Sequence, residues 1–208
     1  MKEISNEDKG YWIEWGEKKE RDFCEKMAPY LKIQARRNPE RKYDKFAPDL
    51  EILQDGKITK AELKYRETPF FTAGKYKMKP QTTFTFNKKD YERYTEKKFV
   101  DKYGDIPIYI WIHWKTLSGN GIKVNPFGGV WLGSSLGIKR IIDTKSSPLH
   151  KYKYRVDDKE GNAKESYLLD VSFFRLLRLI MLPQENWGMW IENAVGENIP
   201  LLFIKSES

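Results

Sequence analysis

Hydrophobic and polar positions follow a helical period in some segments of the chain and alternate in others. From Tyr11 to about Leu31, apolar residues recur at spacings of three, four and seven, which predicts a helix capped by Asn6 or Asp8. A second helix is predicted from Asn87, as its N-cap, to about Tyr103. Strand patterns occupy Asp49–Leu53, Ile58–Lys64, Thr82–Phe86 and Ile106–Trp114, and a possible short strand begins the basic segment Lys32–Phe46. An Asp-Gly pair separates the first two of these strands, so we expect them to form an antiparallel hairpin.

The second half of the chain is predicted to be mostly β. Strand patterns occur at Gly129–Leu132 and Ile138–Ile142. A predicted hairpin joins Tyr152–Val156 to Ser166–Leu169 through the turn Asp157–Asn162. A helix is then predicted from Asp170 to about Met181, and a last strand over Leu201–Lys205. No repeat or low-complexity linker divides the sequence. We therefore predict one domain, residues 1–208, with a core over 10–114 and an elaboration of the same domain over 115–208. The element order indicates an α/β fold on a mixed sheet.

Composition excludes several classes of protein. The chain has 208 residues, 39% of them hydrophobic, which is too many for a disordered chain, and no apolar run approaches the ~18 residues of a membrane span. Residues 1–10 are charged and lack the apolar region of a secretory signal. A single cysteine, Cys24, allows neither an intramolecular disulfide nor a zinc cluster, and we expect it to be a buried thiol. These features predict a cytoplasmic protein with no membrane partner.

The charge distribution predicts a polyanionic partner. The formal net charge is +8, and nine basic residues face only two acidic ones between Lys57 and Lys89. The candidate nucleic-acid-binding residues are Lys60, Arg66, Lys75, Lys77, Lys79, Lys88 and Lys89. The aromatic residues of this segment, Tyr65, Phe70, Phe71 and Tyr76, either lie on sugars and unpaired bases or belong to the core. Charge alone does not separate DNA from RNA or from an acidic protein.

Three charged residues of the predicted hairpin form the strongest candidate for a catalytic site. Glu62 and Lys64 project from one face of their strand, and pairing through the turn brings Asp49 beside them. Carboxylates bind hard cations such as Mg²⁺, and Lys64 is then able to orient an attacking water. The alternative is an ordinary ion pair of Lys64 with Glu62 or Asp49. His113 and His150 have no partner at metal-ligand spacing in the sequence and are expected to be structural.

An acidic residue also lies on the apolar face of the first predicted helix. Glu20 is four residues after Gly16 and three before Phe23, so it faces the sheet, whereas Glu17 points about 100° further round the helix. A buried carboxylate requires a partner. That partner is either a metal site or a cation such as Arg36 or Arg37.

These residues together resemble the PD-(D/E)XK nuclease superfamily, which includes restriction endonucleases and Holliday-junction resolvases. The matching motif is Pro48-Asp49, twelve further residues, and Glu62-Leu63-Lys64, and the resemblance covers roughly Gly10 to Trp114. It implies a restriction-endonuclease-like core, a mixed central sheet flanked by helices in the order αβββαβ. It also implies that Asp49, Glu62 and the Leu63 carbonyl bind Mg²⁺, with Mn²⁺ as a substitute, that Lys64 activates water, and that Glu20 assists.

The resemblance leads to a Mg²⁺-dependent nuclease that hydrolyses DNA phosphodiester bonds, most simply an endonuclease. A non-catalytic nucleic-acid-binding protein on the same scaffold is the main alternative, because a fold does not guarantee an activity. A basic module that binds an acidic protein is a third possibility. Concerted cutting of both strands requires two active sites and would make the protein a homodimer.

Overall fold

The computed structural model describes residues 9–54, 56–145, 147–152 and 164–180. The helices are α1 (Lys9–Asp22), α2 (Ala28–Tyr30), α3 (Lys88–Thr95), α4 (Lys97–Tyr103) and α5 (Ser135–Lys145). The strands are β1 (Gln34–Arg37), β2 (Leu50–Gln54), β3 (Lys57–Arg66), β4 (Thr83–Asn87), β5 (Pro107–His113), β6 (Ser118–Gly119), β7 (Ile122–Lys123), β8 (Gly128–Ser134), β9 (Leu149–Lys151), β10 (Glu165–Asp170) and β11 (Arg175–Ile180). No helix in these residue ranges is long and apolar enough to cross a membrane.

A six-stranded mixed sheet forms the centre of the protein. Its strand order is β1-β2-β3-β5-β8-β11, and only the β3–β5 pair is parallel. A second sheet has the order β4-β10-β9, and β6 pairs with β7. The predicted α/β class, with a mixed central sheet flanked by helices, is confirmed.

The first predicted helix is confirmed with one irregularity. Between α1 and α2 the backbone widens into a π-helical turn, Phe23–Met27, a type of interruption often found near functional sites. Phe23, Met27 and Ala28 are buried against one face of the sheet, where Leu63, Tyr65, Tyr109 and Trp111 complete the cluster. This packing fixes the side of α1 that carries Glu20.

The predicted hairpin forms between β2 and β3. Leu50 pairs with Ala61 and Gln54 with Lys57, and Gly56 in the turn has φ of 73°. Only glycine adopts such a left-handed backbone without steric cost, so the Asp-Gly signal was informative. Asp55 lies outside the described residues.

The other face of the sheet carries a second core. Ile108, Ile110 and Ile112 alternate along β5 and pack with Phe86, Tyr94, Phe99, Trp131 and Ile138 from the surrounding elements. In the parallel β3–β5 register, Glu62 lies beside Ile108 and Lys64 beside Ile110. Strand alternation therefore places Glu62 and Lys64 on one face of the sheet, as predicted from the sequence, and their contacts with Asp90 and Arg93 show that this face is the one toward α3.

Several predicted elements differ in the structure. Asn87 precedes a helix as expected, but the backbone is extended at Glu96 and divides the helix into α3 and α4. The predicted strand Ile138–Ile142 is wrong, because its isoleucines lie at helical spacing within α5. Helix α5 begins where the carboxylate of Asp105 accepts hydrogen bonds from Leu136 N and from the Ser135 hydroxyl.

The predicted helix after Asp170 is also wrong. Asp170 accepts a hydrogen bond from Ser172 N at 2.9 Å, but it caps only the short 3₁₀ turn Val171–Phe173. The following residues form β11, which pairs antiparallel with β8 and extends the central sheet. The second half of the chain thus contributes two strands to the main sheet. β9 pairs antiparallel with β10, which covers the predicted strand Ser166–Leu169. Of its predicted partner Tyr152–Val156, only Tyr152 is among the described residues; the rest of that strand, the predicted turn Asp157–Asn162 and the predicted strand Leu201–Lys205 lie outside them.

Candidate active site

A cleft of about 390 Å³ opens between α1, the β2–β3 hairpin and the start of α3. All four side chains predicted to be catalytic line this cleft, together with Leu63; they are Glu20, Asp49, Glu62 and Lys64. The fold therefore brings together residues that are separated by up to 44 positions in the sequence. The cleft is mixed in charge, because arginines and lysines from neighbouring elements also line it.

Lys64 lies at the centre of a buried network. Its Nζ is 2.9 Å from Glu62 Oε1, 2.7 Å from Asp90 Oδ2 and 3.0 Å from the Tyr94 hydroxyl. The ammonium group also lies 5.4 Å from the centre of the Tyr94 ring, within the range of a cation–π contact. Three oxygen acceptors thus hold Lys64 in one orientation at the cleft.

Asp49 is held at the other side of the cleft by two donors. Its Oδ1 is ion-paired with Arg41 Nη1, and its Oδ2 accepts a hydrogen bond from Leu63 N at 3.2 Å. The second contact ties Asp49 to the backbone between Glu62 and Lys64. This contact explains how the Pro-Asp segment, which directly precedes β2, and the Glu-Leu-Lys segment of β3 reach one site.

Glu20 is buried and paired with cations. Its Oε2 accepts a hydrogen bond from Arg37 Nε at 2.9 Å, and its Oε1 is 3.8 Å from Arg41 Nη1. The ion pair with Arg37, one of the two alternatives raised by the sequence, is therefore present. Burial raises the pKa of Glu20 above its ordinary value, although Arg41 and Arg37 oppose the shift. Arg41 lies near both Glu20 and Asp49 and links the helix to the hairpin.

Sequence reasoning missed three residues of α3 that complete the site. Asp90 accepts hydrogen bonds from Lys64 and from Arg93. Arg93 Nη2 is also 2.6 Å from the Tyr94 hydroxyl and 3.3 Å from Glu62 Oε1. Burial disfavours ionisation of Asp90, but the charges of Lys64 and Arg93 outweigh it and lower its pKa. The sequence feature that indicates these three residues is their spacing of i, i+3 and i+4 after the Asn87 cap. On a helix this spacing places Asp, Arg and Tyr on neighbouring positions of one face.

The donor set at Asp49 and Glu62 suits a hard cation. Glu62 Oε2 is buried and has no hydrogen-bond partner among the described residues, which is costly for a carboxylate oxygen unless a ligand satisfies it. Asp49 lines the same cleft, and its hydrogen-bond donors among the described residues are Arg41 and a backbone N–H. Within the described part of the chain, no three His, Cys, Asp or Glu side chains are grouped as a complete metal site. A cation here would therefore use two carboxylates and a backbone carbonyl, with the rest of its ligands from outside the protein, as Mg²⁺ commonly does.

The predicted nucleic-acid-binding residues fall into two groups. Lys60 forms ion pairs with Glu51 and Glu40, Lys88 pairs with Glu165, and Arg66 donates hydrogen bonds to the Thr85 and Tyr65 carbonyls. The other four are exposed and form no ion pair with the described residues; they are Lys75, Lys77, Lys79 and Lys89. The exposed group keeps its charge available to a polyanion, whereas the first group also stabilises the fold.

The aromatic residues of the basic segment do not lie free on the surface. Tyr65 and Phe71 are buried, and Phe70 and Tyr76 pack against His150, with Tyr76 Oη 2.9 Å from its Nδ1. The core alternative is therefore correct for Tyr65 and Phe71.

His113 and Cys24 lie outside the lining of the cleft. Burial lowers the pKa of His113 to about 3, so this imidazole stays neutral, and burial raises the pKa of the Cys24 thiol to about 11. Neither group is poised for catalysis at neutral pH, and both fit the structural roles expected from the sequence.

The fold of this chain is similar to two solved structures at low sequence identity. The Holliday junction resolvase of Archaeoglobus fulgidus, an archaeal hyperthermophile, is 11% identical with a TM-score of 0.36; the match covers 76% of this chain and 88% of the resolvase. A nuclease from a fusselovirus is 10% identical with a TM-score of 0.37, over 84% of this chain and 89% of the viral protein. No family model and no curated protein matches the sequence.

Proposed function

We propose that the protein is a Mg²⁺-dependent nuclease that hydrolyses phosphodiester bonds in DNA, most simply as an endonuclease. The convergence of Asp49, Glu62 and Lys64 in one cleft, with a buried Glu62 oxygen that has no partner among the described residues, carries this proposal. Most buried side-chain oxygens have a hydrogen-bond partner, so this oxygen is suited to a ligand. Exposed lysines in the segment before α3 supply attraction for the DNA backbone.

The metal would be held by Asp49, Glu62 and the Leu63 carbonyl. When bound, Mg²⁺ lowers the pKa of a coordinated water and offsets negative charge on the phosphate oxygens. The arginine and lysine side chains of the cleft have the complementary task of orienting the phosphate. Arg41, which is paired with Asp49 and lines the cleft, would donate to a phosphate oxygen of the bound substrate.

Hydrolysis forms a bond from a water oxygen to phosphorus and breaks one P–O ester bond, while the proton lost by the water passes to solvent and the leaving alkoxide takes a proton from solvent. Lys64 is held by Glu62, Asp90 and Tyr94, so its ammonium is fixed in orientation before the substrate arrives. All three N–H donors of this ammonium are engaged by those acceptors, so it would act through its positive charge, which stabilises the negative charge that grows on the oxygens of the reacting phosphate. Glu20 acts at longer range by holding Arg37 and Arg41 in place.

The test is cleavage of linear, supercoiled, single-stranded and four-way-junction DNA with Mg²⁺, Mn²⁺ or EDTA. Asp49→Asn removes a charged ligand and should lower cleavage by orders of magnitude, whereas Lys64→Ala and the shape-retaining Lys64→Gln should still bind DNA and lose turnover. Glu20→Gln should give an intermediate loss, partly rescued by Mn²⁺. Glu51→Gln is the matched control, because Glu51 is a buried carboxylate of the same hairpin that pairs with Lys60 and Arg36 outside the cleft.

If the parent cleaves DNA and the Asp49 and Lys64 variants cleave it at the same rate, this assignment of the site is refuted. Absence of cleavage by the parent on every substrate, with DNA binding retained, would support a second function. That function is non-catalytic DNA binding, and one observation favours it: the Arg41–Asp49, Arg37–Glu20 and Lys64–Glu62 ion pairs neutralise the site internally.

A further inference from the structure

Two large aromatic side chains stand exposed on the loop between β1 and β2. Tyr43 is 92% exposed and Phe46 is 58% exposed, and the neighbouring Lys42 and Lys45 are exposed as well. Single exposed aromatics are common on protein surfaces and require no function by themselves. The location of Phe46 in a groove distinguishes it from Tyr43.

The loop holds Phe46 outward in a defined conformation. The Asp44 carboxylate accepts a hydrogen bond from Phe46 N at 2.9 Å, and Ala47 N donates to the Asp44 carbonyl at 3.0 Å. Ala47 is fully buried, and the Asn38 side chain donates to the Pro48 carbonyl at 2.8 Å. Because the backbone on both sides of Phe46 is anchored, the loop loses little backbone freedom when the ring binds a ligand.

Phe46 lines a groove of about 770 Å³ that continues from the candidate active site. Lys45, Asp90 and Arg93 line both the groove and the catalytic cleft. A strand whose phosphate lay in the cleft would therefore place its neighbouring nucleotides in the groove beside Phe46.

The charges of the groove suit a nucleic-acid strand. Lys45, Lys89 and Lys98 line it, are exposed and form no ion pair with the described residues. Most of its carboxylates are already paired: Asp44 with Lys102, Asp90 with Lys64, and Glu92 with Lys88. The cations that remain available can contact phosphates while the aromatic ring contacts a base.

We propose that Phe46 stacks on an unpaired base next to the scissile phosphate, so that the substrate is DNA with unpaired nucleotides at the cut. Inside an intact duplex both faces of each base are covered by its neighbours, and a protein ring gains no free face. An unpaired base offers its face without the cost of unstacking a pair. This inference rests on the proposed nuclease function and adds the class of substrate to it.

The experiment compares a splayed-arm DNA with a fully paired duplex of the same sequence. Fluorescence anisotropy in EDTA measures binding without cleavage, and Mg²⁺-dependent cleavage of both DNAs is measured separately. Loss of one base–aromatic stack should make Phe46→Ala bind the splayed-arm DNA at least about fivefold more weakly, and the duplex within about twofold of the parent. Phe46→Trp should retain the preference, and Tyr43→Ala, an exposed aromatic of the same loop outside the groove, should bind both DNAs like the parent.

The outcomes separate this inference from the function on which it rests. Equal binding of the splayed-arm DNA by parent and Phe46→Ala, or an equal loss on both DNAs, overturns the stacking role. A loss in Tyr43→Ala as large as that in Phe46→Ala also overturns it, because the effect would then be general to the loop. If the parent cleaves DNA with Mg²⁺ and Phe46→Ala shows no selective loss, only the inference fails. If the parent neither binds nor cleaves DNA, both fail.

Discussion

Replacement of Asp90 by Asn tests whether α3 positions the catalytic lysine. Asp90 Oδ2 lies 2.7 Å from Lys64 Nζ, and both side chains are largely buried, with 18% and 9% of their surface exposed. Asn has nearly the same shape, so the substitution removes the charge and leaves the packing intact. An amide oxygen can still accept a hydrogen bond from Lys64, but it no longer neutralises the ammonium.

The expected loss of stability follows from that geometry. At an effective dielectric constant of about 20, two unit charges 2.7 Å apart attract by roughly 6 kcal/mol, most of which is offset by desolvation. Lys64 retains Glu62 at 2.9 Å and the Tyr94 hydroxyl at 3.0 Å, so the loss should be smaller than the ~3 to 5 kcal/mol of a fully orphaned buried charge. We expect about 2 kcal/mol, equivalent to a fall in Tm of roughly 4 to 8 °C for a protein of this size.

The effect should depend on pH in a defined direction. The pKa of Asp90 is lowered in the folded protein, so its ionised form contributes stability above the unfolded pKa of about 3.9. That contribution is lost as the pH falls through the lower, folded pKa. The difference in unfolding free energy between parent and Asp90→Asn should therefore be constant from about pH 6 to 8 and shrink below about pH 4.

The assays are urea denaturation at several pH values and single-turnover cleavage. Because Asp90 acts through Lys64, we expect the cleavage rate to fall by roughly 10- to 100-fold while DNA affinity stays close to that of the parent. Asp101→Asn is the control, since Asp101 forms an exposed i, i+4 ion pair with Lys97 on α4 and should cost less than about 0.5 kcal/mol. An Asp90→Asn variant as stable and as active as the control would show that Asp90 does not hold Lys64 in solution.

Two further predictions follow from the surface charge and from the half-buried thiol of Cys24. A plot of the logarithm of the DNA association constant against the logarithm of the salt concentration should have a slope of roughly −4 to −5. Replacement of Lys75, Lys77 and Lys79 by Gln should make this slope shallower by about 3 without changing the circular dichroism spectrum. A slope near zero in the parent would remove nucleic acid as the partner. Because burial raises the pKa of Cys24 to about 11, iodoacetamide at pH 8 should alkylate the native protein roughly a few hundredfold more slowly than the urea-unfolded protein. Equal rates in the two states would show that the thiol is not buried in solution.

Local sequence patterns were sufficient for the hairpin that carries the motif. The Asp-Gly pair requires a left-handed turn at Gly56, and the alternation along β3 fixes Glu62 and Lys64 on one face with Leu63 on the other. The burial of Glu20 followed in the same way from the 3.6-residue period of α1. Each of these features depends on residues close to one another in the chain.

The tertiary structure decided which cations and acids meet these residues. Arg41 reaches Asp49 from a loop, and Asp90 reaches Lys64 from a helix 26 residues further along the chain. The residues after Asp170 form a strand because the edge of β8 is available to pair with them, and the isoleucines of α5 form a helix that Asp105 caps from outside its own segment. The period of the hydrophobic positions and the identity of the turn residues specify the local backbone conformation. The pairing of distant strands and charges depends instead on tertiary packing, which no short segment of the sequence specifies.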